Sequence, residues 1–213
     1  MGLFDVFRGQ DELDLTSGGI GKPLFLLALP IVITNLLQTA YNLADTFWLA
    51  QLNETAVAAI TFGFPMVFLL ISLGMGLSVA GSVLVAQHTG AEEQAEAEYA
   101  ASQTVLFALV ASALLGVAGF FAVDEVLWLL GARGDVFREA TQYMEVISLG
   151  MPFLFGFFVF ISLMRGYGDT VTPMVVMFGT VVVNVVLDPL FIFGWGPIPN
   201  GLGVQGAAIA TVI

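Results

Sequence analysis

The side chains with the greatest capacity for chemistry are carboxyls and amides set within apolar stretches. In the apolar run 171–193, Thr180, Asn184 and Asp188 recur at every fourth position. This spacing places them on one face of a helix, because about 3.6 residues complete a helical turn. A carboxyl group that titrates near neutral pH carries a proton, and an ionised one binds Na+ or a cationic solute. The pattern therefore predicts a proton- or cation-binding site along this face.

A second polar face is predicted in the apolar run 23–48. Its members follow the spacing i, i+3, i+6/i+7 and i+10, and they are Asn35, Gln38, Tyr41, Asn42 and Asp45. A carboxylate within a membrane span costs about 2.5–3.5 kcal/mol, so such residues normally face the protein interior or a wet cavity. For three of these residues a structural role stays open as an alternative to ion binding. Asp45 would then lie at the membrane surface near Trp48, Asp188 would be a purely structural carboxyl, and Asn184 would form a hydrogen bond between helices.

The composition indicates the solvent in which these stretches lie. The chain has 213 residues, of which 58% are hydrophobic and only 10% are charged, with a mean hydropathy of +0.96. Soluble domains carry about 25% charged residues, so this composition predicts an integral membrane protein. Five stretches are long enough to cross a hydrocarbon core about 30 Å thick, and a sixth begins near Val204. The predicted spans are 23–48, 60–85, 99–123, 143–164, 171–193 and 204–213.

We expect these spans to form an all-α integral membrane fold. In lipid every backbone polar group needs an internal partner, which favours helices. Barrel strands alternate in polarity over about ten residues, and these spans do not. Residues 1–22 precede the first span, and residues 23–213 form a six-helix transmembrane lobe whose sixth helix is predicted to be truncated at Ile213.

The two polar faces are expected to meet in one cavity. The first and fifth spans run in the same direction across the membrane, because both are odd-numbered. Asp45 lies about 22 residues into its span and Asp188 about 17 into its own, which at about 1.5 Å per residue places both in the same half of the bilayer. Carboxyls, amides and Tyr41 would therefore line a common site.

Prolines and small residues indicate where helices bend and approach one another. Each proline within a span removes a backbone hydrogen bond and permits a bend, which serves either as a hinge or as a static kink. These prolines are Pro30, Pro65, Pro152 and Pro189. In the second span Gly74, Ser78 and Ser82 share one face, which predicts close helix packing.

Charge is concentrated in the predicted connections. The net charge is −12, and the acidic stretch Gly90–Tyr99 is a predicted solvated connection that would repel anionic headgroups. The Lys and Arg residues divide three against two between the two sides, which does not decide the orientation. The sequence has no metal-ligand cluster, nucleophile–base pair or phosphate-binding loop. We therefore predict neither an enzyme nor a cofactor, and no nucleic-acid partner.

Four pieces of the sequence together resemble a known family. They are "GKPLFLLALPIVITNLLQTAYNLADTFWLAQL", "VAQHTGA", "SLMRGYGDTVTPM" and "NVVLDPLFIFGWGPIPNGLGVQGAAIAT". In order and content the chain resembles the multidrug and toxic compound extrusion (MATE) transporters over nearly its whole length. Within the third piece, Gly166 and Gly168 permit a tight turn across which Arg165 and Asp169 are expected to pair.

The resemblance implies a twelve-helix transporter of two six-helix lobes, with this chain as the N-terminal lobe and the C-terminal lobe as its missing partner. It implies export of cationic or amphiphilic small molecules across the plasma membrane by alternating access, coupled to H+ or Na+, with a cytoplasmic N-terminus. The implied ion-coupling residues are Asp45, Asn184, Asp188 and Thr211, with Na+ as one option at Asp45 and Asp188. The expected substrate cavity includes Asn35, Gln38, Tyr41, Asn42 and Thr180, and the expected hinge is Pro30.

Two other functional classes remain open at this stage. A lipid-linked oligosaccharide flippase of the same superfamily would be expected to have a more basic cavity, because its substrate carries a pyrophosphate. The predicted spans contain no Lys or Arg beyond their edges, which favours a neutral or cationic solute. A membrane enzyme or a non-transporting membrane subunit is the other class, and an enzyme would need catalytic groups clustered at one interface.

Overall fold

The structure, a computed structural model, describes residues 21–195 and 201–213, apart from the side chains of residues 22 and 23. Within these ranges all regular structure is helical, which confirms the predicted class. The helices are α1 (Gly21–Leu52), α2 (Glu54–Gly90), α3 (Gln94–Leu129), α4 (Gly134–Gly166), α5 (Val171–Phe193) and α6 (Val204–Val212). Most of the predicted N-terminal segment 1–22 lies outside the described residues.

Helices α1 to α5 are each long and apolar enough to cross a membrane. The shortest of the five is α5, with 23 residues. At about 1.5 Å per residue this helix is roughly 34 Å long, which exceeds a hydrocarbon core of about 30 Å. The chain is therefore a multi-pass membrane protein.

Several helices extend beyond the apolar runs from which they were predicted. Helix α2 begins at Glu54 because Asn53 caps it, with Asn53 Oδ1 accepting the Ala56 N–H at 2.7 Å. Helix α4 begins at Gly134, about two and a half turns before the predicted span at Tyr143. Hydropathy marks where the hydrocarbon ends, whereas a helix ends where its capping groups and glycines stop it.

The helices pack as two groups joined by α6. Helices α2, α3 and α4 pack against one another, whereas α1 packs mainly against α5. Helix α6 contacts both α4 and α5. The buried core combines Leu49 of α1, Met144 and Phe155 of α4, and Ile192 of α5. This arrangement brings the C-terminal ends of α1 and α5 next to α6.

Small residues set the spacing between α2 and α4, as predicted. A Cβ added at Gly74 would lie 2.8 Å from the ring of Phe155. Ser162 Oγ of α4 donates a hydrogen bond to the Ser78 carbonyl oxygen at 2.9 Å. The Ser82 carbonyl oxygen lies against the last turn of α4. Bulkier side chains at these positions would push the two helices apart.

The turn between α4 and α5 differs from its prediction. Gly168 has a φ of +88°, which glycine adopts readily. Asp169 Oδ1 accepts the N–H groups of Val171 at 3.0 Å and Thr172 at 2.9 Å, so Asp169 caps α5. Neither ion pair found among the described residues includes Arg165. The predicted pairing of Arg165 with Asp169 is therefore wrong, because the carboxylate is used by the helix N-terminus instead.

Candidate functional site

The side-chain amide of Asn184 connects the polar faces of α1 and α5. Its nitrogen Nδ2 lies 3.2 Å from Tyr41 Oη, 3.4 Å from Asp45 Oδ1 and 3.1 Å from Asp188 Oδ1. Asn184 and Asp188 share a face because they are one helical turn apart on α5. The predicted meeting of the two faces is therefore present in the structure.

Helix α6 supplies a hydroxyl group to the same cluster. Thr211 Oγ1 lies 3.3 Å from Asp45 Oδ2 and 2.9 Å from the Ala207 carbonyl oxygen of its own helix. Asp45 thus contacts α5 through one carboxyl oxygen and α6 through the other. We call Tyr41, Asp45, Asn184, Asp188 and Thr211 the carboxyl cluster.

The cluster contains buried acceptor atoms without hydrogen-bond partners among the described residues. Asp188 is fully buried and Asn184 is 2% exposed. Asp188 Oδ2 and Asn184 Oδ1 are both inaccessible and unpaired. Leaving a buried acceptor unpaired costs about 1–3 kcal/mol, so these atoms favour a cation or a shared proton. The oxygen-only ligand set suits a hard cation such as Na+.

Tyr143 of α4 also faces the carboxyl cluster, and the sequence reasoning missed it. It is 7% exposed, and its electrostatic neighbours include Asp45, Asp188 and Thr211. Its ring packs near Gly63 of α2. A tyrosine at the edge of an apolar run resembles an interfacial anchor, so the only available signal was its position at the predicted start of the fourth span.

No side-chain hydrogen bond found among the described residues joins the remaining predicted cavity residues to the carboxyl cluster. Asn35 and Asn42 are exposed along α1, and Gln38 is half-buried. Thr180 lies one turn before Asn184, and its hydroxyl donates to the Met177 carbonyl oxygen at 2.8 Å. These side chains continue the polar face of α1 and α5 toward the membrane side where α1 begins, and their role as substrate ligands stays a prediction.

Two prolines lie within the helices that carry the cluster. Pro30 is buried in α1, and its carbonyl oxygen accepts the Thr34 hydroxyl at 2.8 Å. Pro189 follows Asp188 within α5 and is also buried. Because proline has no N–H, Pro189 removes the usual helical partner of the Val185 carbonyl oxygen. Helix α1 nevertheless continues through Pro30 from Gly21 to Leu52.

Comparison with known proteins gives consistent matches. The family model described as MatE matches residues 30–190. The FAD transporter of Shewanella oneidensis is 33% identical over 95% of this chain and 45% of its own length. The probable multidrug resistance protein YoeA of Bacillus subtilis is 31% identical over 91% of this chain and 42% of its own. The chain thus spans less than half the length of these relatives.

Solved structures agree with the fold. A MATE protein in the bent conformation aligns with a TM-score of 0.81 and 30% identity, over 98% of this chain and 43% of that one. A MOP superfamily transporter from Pyrococcus furiosus aligns with a TM-score of 0.80 and 32% identity, over 87% of this chain and 40% of that one. The part matched is the N-terminal lobe of a two-lobe, twelve-helix architecture. The relatives are transporters rather than enzymes, and the chain belongs to the MATE family.

Proposed function

We propose that this lobe is part of a secondary active multidrug efflux transporter that exchanges H+ or Na+ for a cationic or amphiphilic solute by alternating access. The observation that carries the proposal is the Asn184 amide, which bridges Asp45 on α1 and Asp188 on α5. A cation or proton held there would join two helices that otherwise carry like charges. Loss of that ion would favour their separation, so the pair of helices would have two states, one with the ion bound and one without it.

The available driving force is sufficient for such a cycle. A pH difference of one unit supplies about 1.4 kcal/mol per proton. A membrane potential of 100 mV adds about 2.3 kcal/mol for each net charge moved. Together these amount to roughly 3.7 kcal/mol, which corresponds to a concentration ratio of roughly 500. One coupling ion per cycle would therefore drive substantial uphill export.

The charge distribution supports a neutral or cationic substrate. The exposed polar face of α1 presents the amides Asn35 and Asn42, which hydrogen-bond without net charge. The cationic side chains placed by the structure lie near helix ends, as with Arg165 at the end of α4 and Arg133 just before its start. A phosphate-bearing substrate would be better served by basic groups along the polar faces.

An anionic nucleotide cofactor is the second candidate substrate. The relative with 33% identity is named an FAD transporter, whereas YoeA is named a probable multidrug resistance protein.

The full transporter would need the remaining lobe as partner. We further propose a plasma-membrane location in which the side where α1 begins is cytoplasmic.

The test is transport by the full-length protein in proteoliposomes, with pH and Na+ gradients imposed separately. We expect uphill movement of a fluorescent organic cation under at least one gradient, and slower movement of FAD. Faster transport of FAD than of the organic cation would reassign the substrate class. If neither gradient drives any substrate uphill, ion coupling is ruled out for this protein.

A further inference from the structure

Glu139, in the second turn of α4, is a carboxyl group that the proposed function does not yet use. The residue is only partly exposed, and its oxygen Oε2 is inaccessible and has no hydrogen-bond partner in the described part of the chain. The charged neighbours on its own helix, Asp135 and Arg138, lie 3.5 Å apart and pair with each other at the surface. Glu139 takes part in neither ion pair found in residues 21–195 and 201–213.

Glu139 lies on the face of α4 that leads to the carboxyl cluster. Tyr143 follows it by four residues, so the two side chains share a face and their Cα atoms are about 6 Å apart along the helix. Gly150 continues this face, and a Cβ there would overlap Val212, the neighbour of Thr211 on α6. The face that carries Glu139 is therefore the face that contacts α6 and the cluster.

The depth of Glu139 along α4 is intermediate between the start of the helix and Tyr143. Helix α4 begins at Gly134, on the side of the membrane where α1 ends at Leu52. Glu139 is about 8 Å along the helix from Gly134, whereas Tyr143 is about 14 Å from it. An ion from that side would meet Glu139 roughly one helical turn before it meets Tyr143, and it would meet Asp45, about 10 Å from Leu52, between the two.

We infer that Glu139 is a transfer carboxyl through which the coupling cation, H+ or Na+, passes between solvent at the Gly134 end of α4 and the carboxyl cluster. The inference rests on the proposed ion coupling. A fixed negative charge beside the path raises the local cation concentration and speeds association. For H+, the proton binds to Oε2 and leaves it for a cluster carboxyl, so no proton is gained or lost at Glu139.

The test measures rate and affinity separately in the full-length protein in detergent. Binding is followed by tryptophan fluorescence after a Na+ jump or a pH jump, and equilibrium affinity by titration with Na+ or by proton uptake. We expect Glu139→Gln to lower the association rate constant at least fivefold while the equilibrium constant changes less than threefold. Glu139→Asp keeps the charge and should restore the rate to within twofold of wild type.

Glu145 provides a matched control on the same helix. It lies about 160° around α4 from Tyr143, on the side of Thr141, which bonds Asp124 of α3 at 3.0 Å. Glu145→Gln removes the same charge and should leave the rate within twofold of wild type. Equal slowing by the Glu139→Gln and Glu145→Gln variants would overturn the inference, because it would indicate a general field effect. A wild-type rate in the Glu139→Gln variant would overturn it as well.

Two further variants keep the outcome interpretable. If Glu139→Gln does not yield folded protein, Glu139→Ser removes the same charge with a smaller side chain and is judged by the same criterion. Asp45→Asn should abolish equilibrium ion binding. If Asp45→Asn binds the ion like wild type, the proposed coupling site itself is wrong. If Asp45→Asn loses binding and the neutral Glu139 variants bind at the wild-type rate, only the role of Glu139 is wrong.

Discussion

Asp188→Asn is expected to make the full-length protein more stable and at the same time unable to drive uphill transport. Asp188 is fully buried, and its Oδ2 has no hydrogen-bond partner among the described residues. Asn184 Oδ1, one turn earlier on α5, is also an unpaired acceptor. An asparagine at position 188 replaces one carboxyl oxygen by an N–H donor, one helical turn from the unpaired Asn184 Oδ1, and it removes a buried titratable group.

The size of the gain follows from these unpaired atoms. Relieving one buried, unpaired acceptor contributes about 1–3 kcal/mol to the free energy of unfolding. We therefore expect an increase of about 1–3 kcal/mol, seen as a higher thermal midpoint in detergent. In proteoliposomes the same variant should lose gradient-driven accumulation and retain only downhill equilibration of the organic cation.

Asp124→Asn is the matched control for this substitution. Asp124 is exposed and accepts the Thr141 hydroxyl at 3.0 Å. Its replacement should change the free energy of unfolding by less than about 0.5 kcal/mol and leave transport intact. A lower thermal midpoint for Asp188→Asn would refute the reasoning about unpaired acceptors. Wild-type accumulation by that variant would refute the assignment of Asp188 to ion coupling.

Three further predictions concern coupling, bending and packing. Asp45→Asn should also abolish uphill efflux. The double variant that combines it with Asp188→Asn should be no worse than the poorer single variant, because both residues act at one site. Additive losses in the efflux assay would contradict this prediction. Pro30→Ala should lower the transport rate, measured by efflux, more than the substrate affinity, measured by equilibrium binding, because the bend that proline permits is expected to change during the cycle. Equal transport rates in the variant and the wild type would make Pro30 a static kink. Gly116→Ala should destabilise by about 1–3 kcal/mol, because its Cβ would overlap a carbonyl oxygen of α4, whereas Gly76→Ala, with open space, should not lower the thermal midpoint.

Helical periodicity was sufficient to predict the parts of the site on α1 and α5. A polar residue stands out in an apolar helix, so Tyr41, Asp45, Asn184 and Asp188 were identified by spacing alone. Thr211 was reached only through the resemblance, because one hydroxyl in a short apolar stretch carries little signal. Tyr143 was missed because its partners are distant in sequence and its own surroundings resemble a membrane interface.

The sequence-based error at the α4–α5 turn has a simple energetic reason. An exposed ion pair between Arg165 and Asp169 would contribute about 0–1 kcal/mol. An aspartate ahead of a helix start instead accepts backbone N–H groups that have no helical partner, which contributes about 0.5–2 kcal/mol. Opposite charges near a turn therefore predict pairing poorly when one of them is in capping position.

The Asn184 amide has fewer hydrogens than neighbouring acceptors. Its NH2 group carries two hydrogens, yet Tyr41, Asp45 and Asp188 each place an oxygen within 3.4 Å of the nitrogen. At any moment at least one of the three oxygens therefore lacks a full hydrogen bond from this amide, and more than one bonding pattern is open to the group. Two of those oxygens belong to α1 and one to α5. Adding or removing a single positive charge would therefore redistribute the bonds between the helices, and α1 would be held tightly or loosely according to that one charge.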